Sequence, residues 1–347
     1  MKMLRRIAVF VVLPLAVAVV AGYIWYRTSE TGKRWRYEDK LASYCAGLIP
    51  VAESAVFTGY STDPGLPHDG RRGYGDETYY SCGVADLDIS IGRVPVDAGT
   101  TPADEDSFLA RLRPTSQDFV STPLGGGWYG YTDLNSTGLV LACSDKPFSV
   151  VVAVDGDSSH ADRRDVRQVA ELAVGIGRKA ADRWSCSFED AGPVPPVAAQ
   201  KQEASPYAAT GTCAGLGIPE GDRYVHWAKE APASANTPVE ECVLLRETWA
   251  GHEQLYALTA YFGPYAQARR ALGGYPNLLD RPSGLTSHRA WATASCPGAP
   301  QAVVEISATA YAQRPNAVRF LVDTLSAFAE RAVKRHGCTD LRLPSVG

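Results

Sequence analysis

Eight cysteines fall into two sets of four with nearly matching spacing: Cys45, Cys82, Cys143 and Cys186, then Cys213, Cys242, Cys296 and Cys338. The last interval is 43 residues in the first set and 42 in the second. The flanks align too, with Tyr44-Cys45-Ala46-Gly47-Leu48-Ile49-Pro50 matching Thr212-Cys213-Ala214-Gly215-Leu216-Gly217-Ile218-Pro219 after one insertion. A chain punctuated in this way is expected to be a duplicated, disulfide-stapled module outside the cytosol, where paired thiols persist. Metal ligation is the poorer account, because zinc sites want close C-x₂₋₄-C pairs and the tightest spacing here is 29. Within a set the residues leave the pairing open. Sequential pairing joins Cys45 to Cys82 and Cys143 to Cys186; nested pairing joins Cys45 to Cys186 and Cys82 to Cys143. Loop closure gives roughly 4–5 kcal/mol per bridge either way, so it does not choose.

The N-terminus sets the location. Lys2, Arg5 and Arg6 precede Ile7 to Tyr26, twenty residues without a charge. At about 1.5 Å per residue such a helix spans a hydrocarbon core of about 30 Å. Tyr23, Trp25 and Tyr26 sit at its end, where rings prefer the headgroup level. Signal-peptide cleavage after Val19-Val20-Ala21 is the competing reading. Retention is expected, and with it a single-pass protein of the cell membrane with its C-terminal domains extracellular. The Lys/Arg balance says little, since Arg27, Lys33, Arg34 and Arg36 follow the span. The cysteines decide the orientation.

A net charge of −4 without charge blocks argues against nucleic-acid binding. Arginine outnumbers lysine 26 to 8 and alanine is abundant, which points to a GC-rich, bacterial genome rather than to a functional arginine set.

Periodicity predicts an α+β fold: two homologous antiparallel-sheet domains, each covered by a long C-terminal helix, plus the N-terminal transmembrane helix. Phe148 to Val154 and Ala302 to Thr309 read as strands. Helices follow from about Ala161 to Trp184 and from about Pro315 to Arg335, with apolar residues at 3–4 spacing. Leu87, Ile89 and Ile91 alternate with polar residues, as in a half-buried strand, and Leu255 to Phe262 is its counterpart. Short helices are expected at Ala103 to Leu112 and Pro264 to Leu272. The domain plan is a cytoplasmic tip and span at 1–26, a stalk at 27–40, repeat one at 41–190, a Pro/Ala-rich linker at 191–211 and repeat two at 212–347. Gly192-Pro193-Val194-Pro195-Pro196 suggests an extended spacer.

Cys45-Ala46-Gly47-Leu48, Ser81-Cys82-Gly83 and the stretch from Gly127-Trp128 through Cys143 to Trp184 together resemble an actinobacterial extracytoplasmic cysteine-bearing domain of unknown function. That group is related in fold to LpqN and PsbP-type α/β/α sandwiches. The resemblance covers both repeats through short motifs. It implies fold and compartment and no enzyme activity. With the general preference for local tethering, it favours sequential pairing of the cysteines.

Chemistry-bearing motifs are sparse. The histidines His68, His160, His226, His252, His288 and His336 are scattered, and no G-x-S-x-G elbow surrounds a serine. Asp155 to Asp162 begins like a calcium loop, but His160 stands where glycine is required and no Glu closes it. Gly175-Ile176-Gly177 lies within a helix rather than a phosphate loop, and the sequon Asn135-Ser136-Thr137 is idle in a bacterial protein. No catalytic residue, metal ligand or cofactor is expected.

Repeat one carries two extra segments, Thr62 to Asp76, which reads as an exposed loop, and Gly125-Gly126-Gly127-Trp128-Tyr129-Gly130-Tyr131. Trp128, Tyr129 and Tyr131 are therefore the candidate binding surface, weighed against ordinary packing of alternating aromatics. The expected function is non-catalytic: a membrane-anchored cell-envelope binding or sensing protein, with an envelope protein, a wall polymer or a small ligand as partner. The alternatives are an accessory subunit docking to another membrane complex and an unrecognised hydrolase.

Overall fold

The computed structural model describes residues 12–73, 75, 78–96, 106–112, 120–156, 163–198, 203–249, 251–272, 281–312 and 314–346. Among them are two antiparallel seven-stranded sheets and six α-helices. The N-terminal sheet holds β1 (Asp69–Arg72), β2 (Tyr79–Val84), β3 (Leu87–Pro95), β4 (Thr122–Pro123), β5 (Gly130–Thr132), β6 (Ser136–Ala142) and β7 (Phe148–Gly156). The C-terminal sheet holds β8 (Trp227–Glu230), β9 (Val239–Thr248), β10 (Gly251–Tyr261), β11 (Gly284–Leu285), β12 (Arg289–Ser295), β13 (Ala302–Ala308) and β14 (Thr339–Arg342). The orders β1-β2-β3-β7-β6-β5 and β8-β9-β10-β13-β12-β11 correspond strand for strand. They differ at the margin, where β4 extends the first sheet beyond β5 and β14 pairs with β12 in the second.

The helices are α1 (Leu13–Thr28), α2 (Glu30–Ser43), α3 (Val51–Thr58), α4 (Arg163–Arg183), α5 (Gly263–Ala271) and α6 (Ala317–Arg335). The long helices fall where the periodicity places them. Val166, Val169, Ala173, Ile176 and Ala180 of α4 are buried, as are Leu321, Leu325, Phe328 and Ala332 of α6. Gly177 lets α4 lie close on the sheet, since a Cβ there would stand 2.7 Å from Leu139 Cδ2. The expected helix at Ala103 to Leu112 is described only from residue 106, where a 3₁₀ turn covers Leu109–Arg111.

All four bridges are sequential: Cys45–Cys82, Cys143–Cys186, Cys213–Cys242 and Cys296–Cys338. None crosses between the halves. Four bridges indicate an oxidising, extracytoplasmic setting. A smaller correspondence lies beside them. Asp69 is registered opposite Cys82, and Glu230 opposite Cys242. The Cys45 N–H donates to Asp69 Oδ2 and the Cys213 N–H to Glu230 Oε2, each at 3.3 Å. In both units a carboxylate on the edge strand thus satisfies the backbone of the first cysteine.

Three segments pack more closely than expected. The stalk is helical and docked: Tyr37 and Leu41 of α2 are buried, and the Tyr37 hydroxyl donates to Ser54 Oγ at 2.9 Å. The linker's prolines lie on the N-terminal unit, where Val194 and Val197 are buried and a Cβ on Gly126 would stand 2.8 Å from Pro195 Cδ. The extra segment from Thr62 is not simply an exposed loop, because it buries Leu66 and contributes β1 to the sheet edge.

The apolar N-terminal segment is described from Val12, and α1 has no buried residue. No single described helix is long and apolar enough to cross a membrane. At Ser29 the chain turns from α1 into α2. Arg36 donates to the carbonyls of Tyr26 and Arg27, and the Ser29 hydroxyl accepts from the Gly32 N–H at 3.0 Å.

Candidate functional site

The aromatic hairpin is packing, not platform. Trp128 and Tyr131 are each 2 % exposed, and Tyr129 is half-buried. Alternation along the chain into β5 sends them to different places. Trp128 joins the core beneath α4, with the Arg178 guanidinium over its ring at 5.2 Å. Tyr131 points the other way and meets Tyr265 of α5 edge-on at 5.3 Å. Gly138 makes room for this contact, since a Cβ there would stand 2.1 Å from the Tyr265 hydroxyl. Tyr129 packs against the C-terminal core as well as the shared cluster.

That shared cluster joins the two units. Tyr79, Val94, Phe108, Tyr131 and Val151 of the first meet Val239, Tyr265 and Ala268 of the second. Polar contacts reinforce it. Gln267 Nε2 donates to the Pro95 and Val96 carbonyls at 2.8 and 3.0 Å. The Ser121 N–H donates to Glu241 Oε2 at 2.7 Å. Burial pushes the Glu241 carboxyl up to about 7 and the Asp155 carboxyl up to about 6. Glu241 keeps some exposed area, so its loss of water is partial. Neither carboxyl lines the cleft along α2 or the cleft at the rim of the C-terminal unit.

One cleft lies along α2, lined by Glu30, Arg34, Trp35 and Glu38 with Tyr60. Its charges are already matched, with Arg34 donating to Glu38 at 2.7 Å. The other cleft lies at one rim of the C-terminal unit and is the candidate site. Four separate segments build it. Arg223, Tyr224 and His226 come from the loop before β8, Arg246 from β9, Tyr256 from β10 and Tyr311 from the loop after β13. Arg223, His226 and Tyr311 are exposed and Tyr256 is buried.

Neighbouring contacts hold these side chains in place. Arg314 lies over the Phe320 ring at 3.9 Å and the Tyr224 ring at 5.0 Å, and faces Asp222 Oδ2 at 3.4 Å. Asp222 Oδ1 in turn accepts from the Tyr224 and Val225 N–H groups, both at 2.9 Å, which fixes the loop. Arg246 Nε donates to Glu253 Oε2 at 2.6 Å across the hairpin and lies 5.9 Å from the Tyr311 ring centre. His226 Nδ1 accepts from the Glu247 N–H at 3.1 Å. Burial raises the Tyr256 hydroxyl above its ordinary value, so it remains a donor at neutral pH.

Among the described residues, the corresponding rim of the N-terminal unit is built on a shorter hairpin. β2 ends two residues beyond Cys82, whereas β9 runs six beyond Cys242. The longer hairpin lifts Trp249 to full exposure at its tip and supplies Arg246 to the cleft. The extra segments Thr62 to Asp76 and Gly125 to Tyr131 direct attention to the first unit instead, and none of these cleft residues is among the sequence candidates. A usable signal existed in the extra β10 length and in Arg223-Tyr224-Val225-His226, which carries three donor side chains in four positions.

The loop at Asp155 to Asp162 is described only to Gly156. Among the described residues no group of three or more His, Cys, Asp or Glu is placed to hold a metal ion. No family model matches the chain, and no curated protein or solved structure is significantly similar to it.

Proposed function

We propose that the chain is a duplicated, membrane-tethered recognition protein of the cell envelope that binds its partner through the C-terminal cleft. The carrying observation is the convergence of Arg223 and His226, Arg246, and Tyr311 from three parts of the chain onto one open surface. The common strand order and the matching carboxylate-to-cysteine contacts support duplication. Tethering is supported by the uncharged run Ile7 to Tyr26 and by α1, whose Leu13, Leu15, Val17 and Val19 are all more than half exposed in the isolated chain. A bilayer is the natural cover for such a helix. The resemblance to the extracytoplasmic cysteine-bearing group agrees with this location.

The test is retention of envelope material by immobilised full-length protein in detergent. Tyr311→Ala should lower retention about tenfold while leaving the melting temperature unchanged, because the ring is exposed. Unchanged retention would overturn the assignment of the cleft.

A further inference from the structure

The geometry points to the chemistry of the ligand: the cleft binds an oxyanion, a carboxylate or phosphate group presented end-on. This rests on the cleft being the recognition surface. The lining supplies donors and no carboxylate: the Arg223 and Arg246 guanidinium groups, His226 and the hydroxyls of Tyr256 and Tyr311. Of the acids beside the lining, Asp222 is engaged with Arg314 and with the backbone of its own loop, and Glu253 with Arg246, whose charge it matches, which leaves Arg223 as the leading anion-binding group. Arg223 is exposed and makes no ion pair among the described residues, so its fork is available. Because His226 Nδ1 accepts a backbone hydrogen bond, its other ring nitrogen carries the proton and donates.

A sugar hydroxyl or an amide needs both donors and acceptors. A carboxylate or phosphate only accepts, and the planar guanidinium matches its oxygens two at a time. Size points the same way. The cleft volume is about 80 Å³, far below the roughly 300–1,000 Å³ of sites that engulf a whole small molecule. It has room for a terminal group and leaves the bearer of that group outside. The start of α6 adds to the effect. Phe320, in its first turn, touches the Tyr256 ring at 4.8 Å, and Asn316 provides no side-chain cap. The positive end of a nineteen-residue helix therefore lies behind Tyr256, one side chain from the cleft.

The experiment is a set of thermal melts of the full-length protein in detergent micelles, with ionic strength held constant by chloride. Inorganic phosphate is titrated in one arm and acetate in the other. At least one should raise the melting temperature, and the rise should be about twofold or more larger than in Arg223→Gln. A response to phosphate alone identifies a phosphate-bearing ligand, and a response to acetate alone a carboxylate-bearing one. No rise, or an equal rise in wild type and Arg223→Gln, means an adventitious ion only and overturns the inference. The two proposals fail separately. Loss of envelope retention in Tyr311→Ala without an anion response would keep the cleft and discard the oxyanion. An anion response that depends on Arg223, with retention intact in Tyr311→Ala, would keep the anion site and discard the cleft as the surface that retains the envelope partner.

Discussion

The two units share a framework and differ at the rim. Six strands run in the same order, each long helix is tied back by a bridge from its end, and an edge carboxylate holds the first cysteine in each. Yet the first unit turns sharply after Val84, while the second carries β9 and β10 outward to Trp249 and brings arginine, histidine and tyrosine together beneath them. The extra aromatic residues of the first unit serve the opposite purpose. They are turned inward, one to its own core and two to its neighbour. Added chain length is therefore no guide to recognition by itself. In one unit it builds the junction, and in the other it builds an open surface.

The sharpest way to break this comparison is to truncate one aromatic in each. Trp128→Ala empties a buried site and should destabilise by about 3–5 kcal/mol in chemical denaturation. Tyr311→Ala should stay within about 0.5 kcal/mol of wild type. A small loss at Trp128 would restore the exposed-platform reading.

The bridges should behave alike in the two units. Replacing Cys143 and Cys186 by Ser, or Cys296 and Cys338 by Ser, should each cost about 2–5 kcal/mol, because the closed loops of 43 and 42 residues are nearly equal. Markedly unequal losses would show that the common framework is not equally strained or equally used.

The junction should carry a pH signature. Glu241 binds its proton more tightly folded than unfolded, so its contribution to stability is complete below the ordinary carboxyl value near 4.5 and is lost as pH rises through about 7. Glu241→Gln should therefore gain on the wild type between pH 5 and pH 8 by about 1–2 kcal/mol, after discounting for the area Glu241 keeps in water. Parallel stability profiles for the two proteins would show that Glu241 is not the group responsible.

Much of the framework was legible. Strict cysteine spacing, the β-branched runs before each long helix and the 3–4 pattern of α4 and α6 are local signals, and each led to the right element. The burial of Tyr129 and Tyr131 was not legible, because what covers them is α5 and the core of the other unit, more than a hundred residues away. The docking of Pro195 against Gly126 hid for the same reason: a proline run reads as a spacer until something lies beneath it. The cleft escaped notice because residues 223, 246, 256 and 311 are ordinary loop and strand residues until the sheet gathers them.

Recognition at the C-terminal rim is tested most directly by hydrogen–deuterium exchange of the full-length protein with and without envelope extract. The account predicts slowed exchange at 222–226, 245–249, 251–256 and 309–312, with no change at the turn around Asp86 or in the hairpin from Trp128 to Tyr131. Protection confined to the first unit, with the C-terminal rim exchanging as before, would contradict it.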